Sequence, residues 1–294
     1  VKSVVRAALG ALITIAASVA ALLPFSGPAF ATATPPAPSP ALFGTWTNAN
    51  PATRNVADIV ITPRGGGILV DGFGACSPTP CEFGRIPGTV FAATVSNPTG
   101  NSFSANWNFG FSHFVLLATM ARVGRTTTLV VREFTTFIPP DGRANFTVRE
   151  RFVRARRAII PKKSGTPAAG YPLGDSVKPV KSLLGTWKNT SPGGGSIKEI
   201  VLTLTGGVLH AHAFGNCVPA LCNLGVVRAI TFGTGIASVS GRVFLAPYTF
   251  SFKKDLLSGT VNLTGTILTV QSNSEFTDHS GRSNYIVTDT FRRV

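Results

Sequence analysis

Cysteine and histidine are the residue types in this chain best suited to covalent or metal chemistry, and both are sparse: four of each in 294 residues. The cysteines form two C-x4-C pairs, Cys76 with Cys81 and Cys217 with Cys222. Four thiols allow three disulfide connectivities. A zinc site would require both pairs to converge, and a redox pair is normally C-x-x-C, so one local disulfide per pair is the expected chemistry. Pro78, Pro80 and Pro219 prefer turn geometry, which doubles the chain back and brings the sulfurs together. His210 and His212 share one face of a strand but have no evident third ligand, so no metal is expected. The sequence contains no G-x-S-x-G, no P-loop and no H-E-x-x-H, and no Ser/His/Asp or Cys/His set recurs in it. No catalytic residue and no cofactor is expected, although triads assemble in space rather than in sequence.

The elements that position these residues are read from an internal repeat. Leu42-Phe43-Gly44-Thr45-Trp46-x-Asn48 returns 141 residues later as Leu183-Leu184-Gly185-Thr186-Trp187-x-Asn189. Phe73-Gly74-x-Cys76-x-Pro78-x-x-Cys81-x-x-Gly84 returns at the same separation as Phe214-Gly215-x-Cys217-x-Pro219-x-x-Cys222-x-x-Gly225. A third landmark, Gly142-Arg143-x-Asn145-Phe146 followed by Glu150-x-Phe152-x-Arg154, matches Gly281-Arg282-x-Asn284-Tyr285 and Asp289-x-Phe291-x-Arg293. Its separation is two residues shorter, so one loop in between differs in length. Each unit is long enough for an independent domain and too long for a solenoid repeat. The expected layout is a domain over 41–154 and another over 182–294, joined by a basic linker over 155–181.

Within each unit the apolar residues alternate, as in Ile59 and Ile61 or in Ile200, Leu202 and Leu204. That is the period of a sheet with one buried face. Gly65-Gly66-Gly67 and Gly206-Gly207 mark tight turns, and further strands are expected over 87–95, 102–109, 111–118, 126–137 and 143–153. Eight short sequential strands per unit point to an all-β protein of two tandem eight-stranded up-and-down antiparallel barrels, a closure that removes exposed edges.

Composition agrees: charged residues are 13% of the chain, glycine and proline are plentiful, and 27 Lys+Arg against 12 Asp+Glu give a net charge of +15. Lys2 and Arg6 precede an apolar run that ends near Ala29-Phe30-Ala31, the pattern of a signal peptide over 1–31 cleaved before Thr32. The alternative is an uncleaved membrane anchor, since the run could just span a bilayer. Residues 32–40 are rich in proline and read as an extended spacer. After cleavage no membrane segment remains, and a secreted, extracellular or cell-wall-associated location follows.

The Gly-x-Trp opening of a compact barrel resembles that of the calycins, the lipocalin and avidin relatives, with the likeness to the avidin/streptavidin family slightly closer. Gly44-Thr45-Trp46-Thr47-Asn48 and Gly185-Thr186-Trp187-Lys188-Asn189 resemble that family's first strand, and Asp289-Thr290-Phe291 resembles its last, with Glu150-Arg151-Phe152 a looser copy. The resemblance implies a ligand cavity at one barrel mouth, with Asn48, Glu150, Asn189 and Asp289 as ligand-binding positions. It also implies that a basic residue of the last strand covers the first-strand tryptophan, Arg154 over Trp46 and Arg293 over Trp187, sealing a barrel end by cation–π packing. The departures are a chain with only three tryptophans and the C-x4-C loop, and biotin binding is not expected.

The function expected from these readings is a secreted, non-enzymatic binding protein that offers a cavity or loop rim to a small apolar or amphipathic ligand or to a partner protein. The first alternative is attachment to an anionic cell-envelope polymer through Arg156, Arg157, Lys162, Lys163, Lys178 and Lys181 of the linker. The second is inhibition of a secreted protease by the disulfide-locked loop. Nucleic acid is not an expected partner.

Overall fold

A computed structural model describes residues 36–138, 142–170, 177–191 and 197–294. The expected signal peptide, the start of the spacer and the middle of the linker lie outside the described residues. Among the described residues the protein is all-β, with only two short 3-10 turns, Pro40–Leu42 and Lys181–Leu183. Among the described residues no helix is long and apolar enough to cross a membrane.

The first half closes an eight-stranded antiparallel barrel. Its strands are β1 (Gly44–Asn48), β2 (Val56–Arg64), β3 (Gly67–Gly74), β4 (Ile86–Ala92), β5 (Thr99–Asn108), β6 (Ser112–Val123), β7 (Thr126–Phe137) and β8 (Phe146–Arg154). Each pairs with the next in chain order. The ring shuts where β8 returns onto β1, at Phe152↔Asn48 and Arg154↔Trp46. Alternation decides which side chains enter: Trp46, Ile59, Val70, Phe103, Leu116 and Phe152 all point into one buried cluster.

The Gly-Thr-Trp landmark has a local cause. Gly44 has φ 114°, and a Cβ there would lie 2.6 Å from the Arg154 guanidinium. A side chain would therefore be strained and would also obstruct the arginine. Arg154 lies 4.2 Å from the Trp46 ring centroid and donates to the carbonyls of Phe43 and Ala41. Trp46 Nε1 in turn donates to the Leu42 carbonyl at 2.8 Å, so the fully buried indole leaves no orphaned donor.

The second half carries β9 (Gly185–Asn189), β10 (Ile197–Thr205), β11 (Val208–Gly215), β12 (Cys222–Phe232), β13 (Val243–Thr249), β14 (Lys253–Val261), β15 (Ile267–Phe276) and β16 (Tyr285–Arg293). These also pair antiparallel in order, and β16 meets β9 at Trp187↔Arg293. Its details repeat those of the first half at matching positions. Trp187 Nε1 donates to Leu183 O at 3.0 Å, and Arg293 stands 5.1 Å from the Trp187 ring. The disulfides Cys76–Cys81 and Cys217–Cys222 share a Cα–Cα distance of 5.4 Å. The two-residue difference in length sits in one hairpin. In the first half β6 and β7 continue past Met120↔Leu129 to Val123↔Thr126, whereas β14 and β15 stop at Val261↔Leu268.

Two segments expected to be open are docked. At the end of the spacer, Ala37–Pro38 pairs in parallel with Thr99–Gly100 of β5, as Lys178–Pro179 does with Ser240–Gly241. The linker after β8 runs as a strap across the first barrel. Continued, the β4–β5 ladder would set Arg85 opposite Asn108, but the strands splay there and the strap fills the gap. Arg85 N donates to Lys163 O, Gly165 N to Arg85 O, and Asn108 N to Thr166 O, each at 2.9 Å. The side chains of Arg156, Arg157, Lys162, Lys163, Lys178 and Lys181 stay exposed.

The two halves share a third apolar cluster. Val115, Leu117 and Phe134 on the outer face of the first barrel pack against Ile230, Phe232, Leu245 and Leu256. Phe134 and Phe232 meet edge-on at 5.1 Å. Backbone bonds across this contact come in reciprocal sets. Ala92 N donates to Asn284 O at 2.8 Å, and Gly233 N to Asn145 O at 2.9 Å. Ser283 N donates to Val95 O at 2.9 Å, and Ala144 N to Ile236 O at 2.8 Å. Each donor and acceptor of one set occupies the repeat-equivalent position of the other, as in an isologous dimer interface carried by one chain.

Candidate functional site

The first barrel is filled by side chains through its middle and opens at the end bearing the disulfide. The opening is a cavity of about 340 Å³ whose lining includes Phe83, Phe109, Phe111, Phe114, Phe137 and Phe146, with Cys76 and Cys81 on its rim. The aromatic arrangement follows from the sequence register. Gly72 and Gly74 of β3 carry no side chains, and Phe83 lies against them; a Cβ at Gly72 would be 2.5 Å from its ring. Phe83 then meets Trp107 at 6.0 Å, Phe109 at 5.2 Å and Phe114 at 5.5 Å, all edge-on. Trp107 Nε1 donates to the Gly84 carbonyl at 2.8 Å, so the indole is satisfied without a ligand. At the lip, Arg143 lies 3.9 Å from the Phe137 centroid and 5.7 Å from that of Phe111. Ile236 of the second half also lines the cavity.

One carboxyl lies in this apolar wall. Glu133 of β7 shares the inward register of Leu129 and Val131 and is only 2% exposed. Burial, followed by the Glu150 carboxylate beside it, holds its pKa well above the usual carboxylate range. The neutral form of the side chain is therefore favoured over the ionised one. Its Oε1 is buried without a hydrogen-bond partner. A buried polar atom left without a partner is uncommon and costly, so a group able to meet it is the natural complement.

The positions expected to bind ligand are partly committed to the barrel itself. Asn48 and Glu150 come together, with Asn48 Nδ2 at 2.8 Å from Glu150 Oε2. The same amide nitrogen donates to Val56 O at 2.9 Å, and Asn48 Oδ1 accepts from Asn50 N at 2.9 Å. Thr53 Oγ1 donates to the other Glu150 oxygen at 2.7 Å. Asn48 thus clamps the β1–β2 loop and anchors Glu150, which in turn acts on Glu133. In the second half Asn189 donates to Ile197 O at 2.7 Å and accepts from Ser191 N at 2.8 Å. Asp289 is buried on the inner face of β16.

The second half presents an equivalent concavity of about 740 Å³, lined by Phe252, Phe276, Arg282 and Tyr285 and completed by Val95 of the first half. Arg282 stacks 4.0 Å from Phe276, as Arg143 does on Phe137. The floors differ. Where the first barrel has Ser112, Phe114 and Glu133, the repeat places Lys253, Asp255 and Ser272, and Lys253 and Asp255 form a 2.7 Å ion pair that is nearly buried. His210 and His212 lie on β11 outside both concavities. His212 Nε2 is 2.7 Å from Asn223 Oδ1, and among the described residues no group of three potential ligands is placed to hold a metal.

The aromatic lining and Glu133 were not singled out from the sequence, which pointed to the Asn and Asp/Glu positions of the resembled family instead. A signal was present: Glu133 interrupts the inward apolar register Leu129-x-Val131 by two residues. No known protein-family description matches the chain, and no curated protein matches it.

Proposed function

We propose that this is a secreted, non-enzymatic binding protein of two tandem calycin-like barrels, arisen by duplication, whose mouths hold small amphipathic ligands. The carrying observation is the aromatic cavity of the first barrel set over a buried carboxyl, Glu133, one oxygen of which has no hydrogen-bond partner. Its volume of about 340 Å³ falls at the small end of ligand cavities, about 300–1,000 Å³. Six phenylalanines favour a flat or branched apolar body, and Glu133 favours an amine or hydroxyl that can donate to its free oxygen. The two disulfides fit an oxidising, extracellular compartment, which supports export.

The test is a native mass spectrum of the protein purified from culture medium. A retained mass that dissociates on denaturation, and that Glu133→Leu releases, supports the reading. Bare polypeptide in every preparation, together with no response to a titrated aromatic amine, overturns it.

A second reading rests on the six exposed cations of the strap and the segment leading to β9, whose flanking backbone is fixed against the fold. Such a patch suits an anionic envelope polymer. Retention on teichoic-acid-like polymer that disappears as salt rises is the expected result, and salt-insensitive retention counts against it.

A further inference from the structure

Between the two halves lies a cleft of about 440 Å³, separate from both mouths, in which two arginines and several hydroxyls are set among apolar side chains. It lies next to the reciprocal contact, where the outer face of β7 and β8 meets that of β14, β15 and β16. Arg132 of β7 and Arg149 of β8 are direct cross-strand neighbours within it. Like charges placed opposite one another in a sheet repel and cost stability unless something offsets them. Nothing in the cleft wall does so, because its lining contains no aspartate or glutamate. Arg132 is half-buried and meets only hydroxyls, donating to Thr260 Oγ1 at 2.8 Å and lying 3.4 Å from Ser258 Oγ. Burial, and next the Arg149 charge, push its pKa down to about 10, the direction expected of a guanidinium that lacks a counter-charge. Across the cleft stand Thr269, Gln271 and Thr288, all neutral donors.

We infer that this inter-half cleft is a binding site for a tetrahedral oxyanion, phosphate or sulfate, free or as a monoester, held by Arg132 and Arg149 from one half and by Ser258, Thr260, Thr269 and Thr288 from the other. Two guanidiniums lining one volume, with hydroxyls opposite that can turn an O–H toward it and no carboxylate in the lining, make the donor-rich environment that an oxyanion with several acceptor atoms satisfies. The cleft exceeds the size of the bare ion, which leaves room for the organic part of a monoester. The repeat shows that the charges are not a requirement of the fold. At the positions equivalent to Arg132 and Arg149 the second half carries Gln271 and Thr288 on β15 and β16, and those strands pair in the same register. The site therefore depends on both halves, one giving charge and the other hydroxyls.

Inorganic phosphate is the probe, titrated calorimetrically into the full chain at fixed ionic strength set with chloride. A saturable heat of one site per chain is expected. Arg132→Gln and Arg149→Thr install the residues that the second half tolerates, so both variants should fold. Each should weaken phosphate binding about tenfold or more. Arg151→Gln, on the same strand but outside the cleft, should leave it unchanged. Absence of saturable heat, or binding that survives both cleft substitutions, overturns the assignment. Neither result bears on the aromatic mouths, whose residues are untouched.

Discussion

Two buried carboxyls of the first barrel face opposite ways, and both are shifted in the same direction. Glu133 points inward at the mouth. Asp71 points outward from β3 beneath the strap and is fully buried; burial, then the hydrogen bond to and charge of the neighbouring Glu82, push it up to about 7, while the Gly84 backbone and then Arg85 pull the other way. A carboxyl whose folded value lies above its unfolded one is a stabilising neutral group at low pH. That contribution is complete below about pH 4, the unfolded value, and for Asp71 is lost as pH rises through about 7. Asp71→Asn should flatten the decline in melting temperature between pH 4 and 8, removing a loss on the order of 2 kcal/mol. An unchanged slope in the variant would show that the carboxylate is solvated after all. Asp71 could be placed on a strand from the sequence, but its burial could not, because the strap covering it comes from about ninety residues further along.

At the scale of elements, the strap and the disulfide loop are two different ways of holding one barrel end. The strap depends on contact between backbones: a Cβ at Gly165 would lie 2.6 Å from the Gly84 carbonyl oxygen, and Gly84 itself has φ 90°. Gly165→Ala should loosen the strap at a cost of about 1–3 kcal/mol and open residues 158–170 to limited proteolysis. Proteolysis at the wild-type rate would sink the idea that close approach secures the strap. Glu82 reinforces the strap by accepting from the backbone N–H of Lys162 and Lys163. The disulfide closes so short a loop that Cys76→Ser with Cys81→Ser should cost only about 2 kcal/mol while widening the mouth rim. Denaturant midpoints of the double variant measure this, and a loss far above that value would mean the bridge supports more than its own loop. The landmarks that announced β1, the glycine turns and the cysteine pairs were legible because each answers a local constraint. The strap was not, because its basic composition with scattered proline and glycine is also that of an open linker and its partners are distant in sequence.

At the scale of the whole molecule, the halves are joined by an apolar contact that the sequence contained but did not explain. Phe114-Val115-Leu116-Leu117-Ala118 is an unbroken apolar run, the mark of a strand buried on both faces, yet nothing local names what covers the second face. The structure supplies the partner: Leu116 enters the barrel and Leu117 meets the other half. Phe232→Ala removes a fully buried ring from that contact and should cost about 3–5 kcal/mol. Calorimetric melting should then separate into two transitions. A single transition shifted only slightly would mean that the backbone bonds carry the interface without the ring.

Val95 and Ile236 each leave their own half to line the mouth of the other. A homodimer with such crossed fingers would be bound to symmetry, since every change in its gene is written into both chambers. One polypeptide escapes that rule. The acid floor beneath one mouth and the buried lysine–aspartate couple beneath the other show that freedom taken: each chamber has its own floor, while its wall still includes a residue lent by the other half.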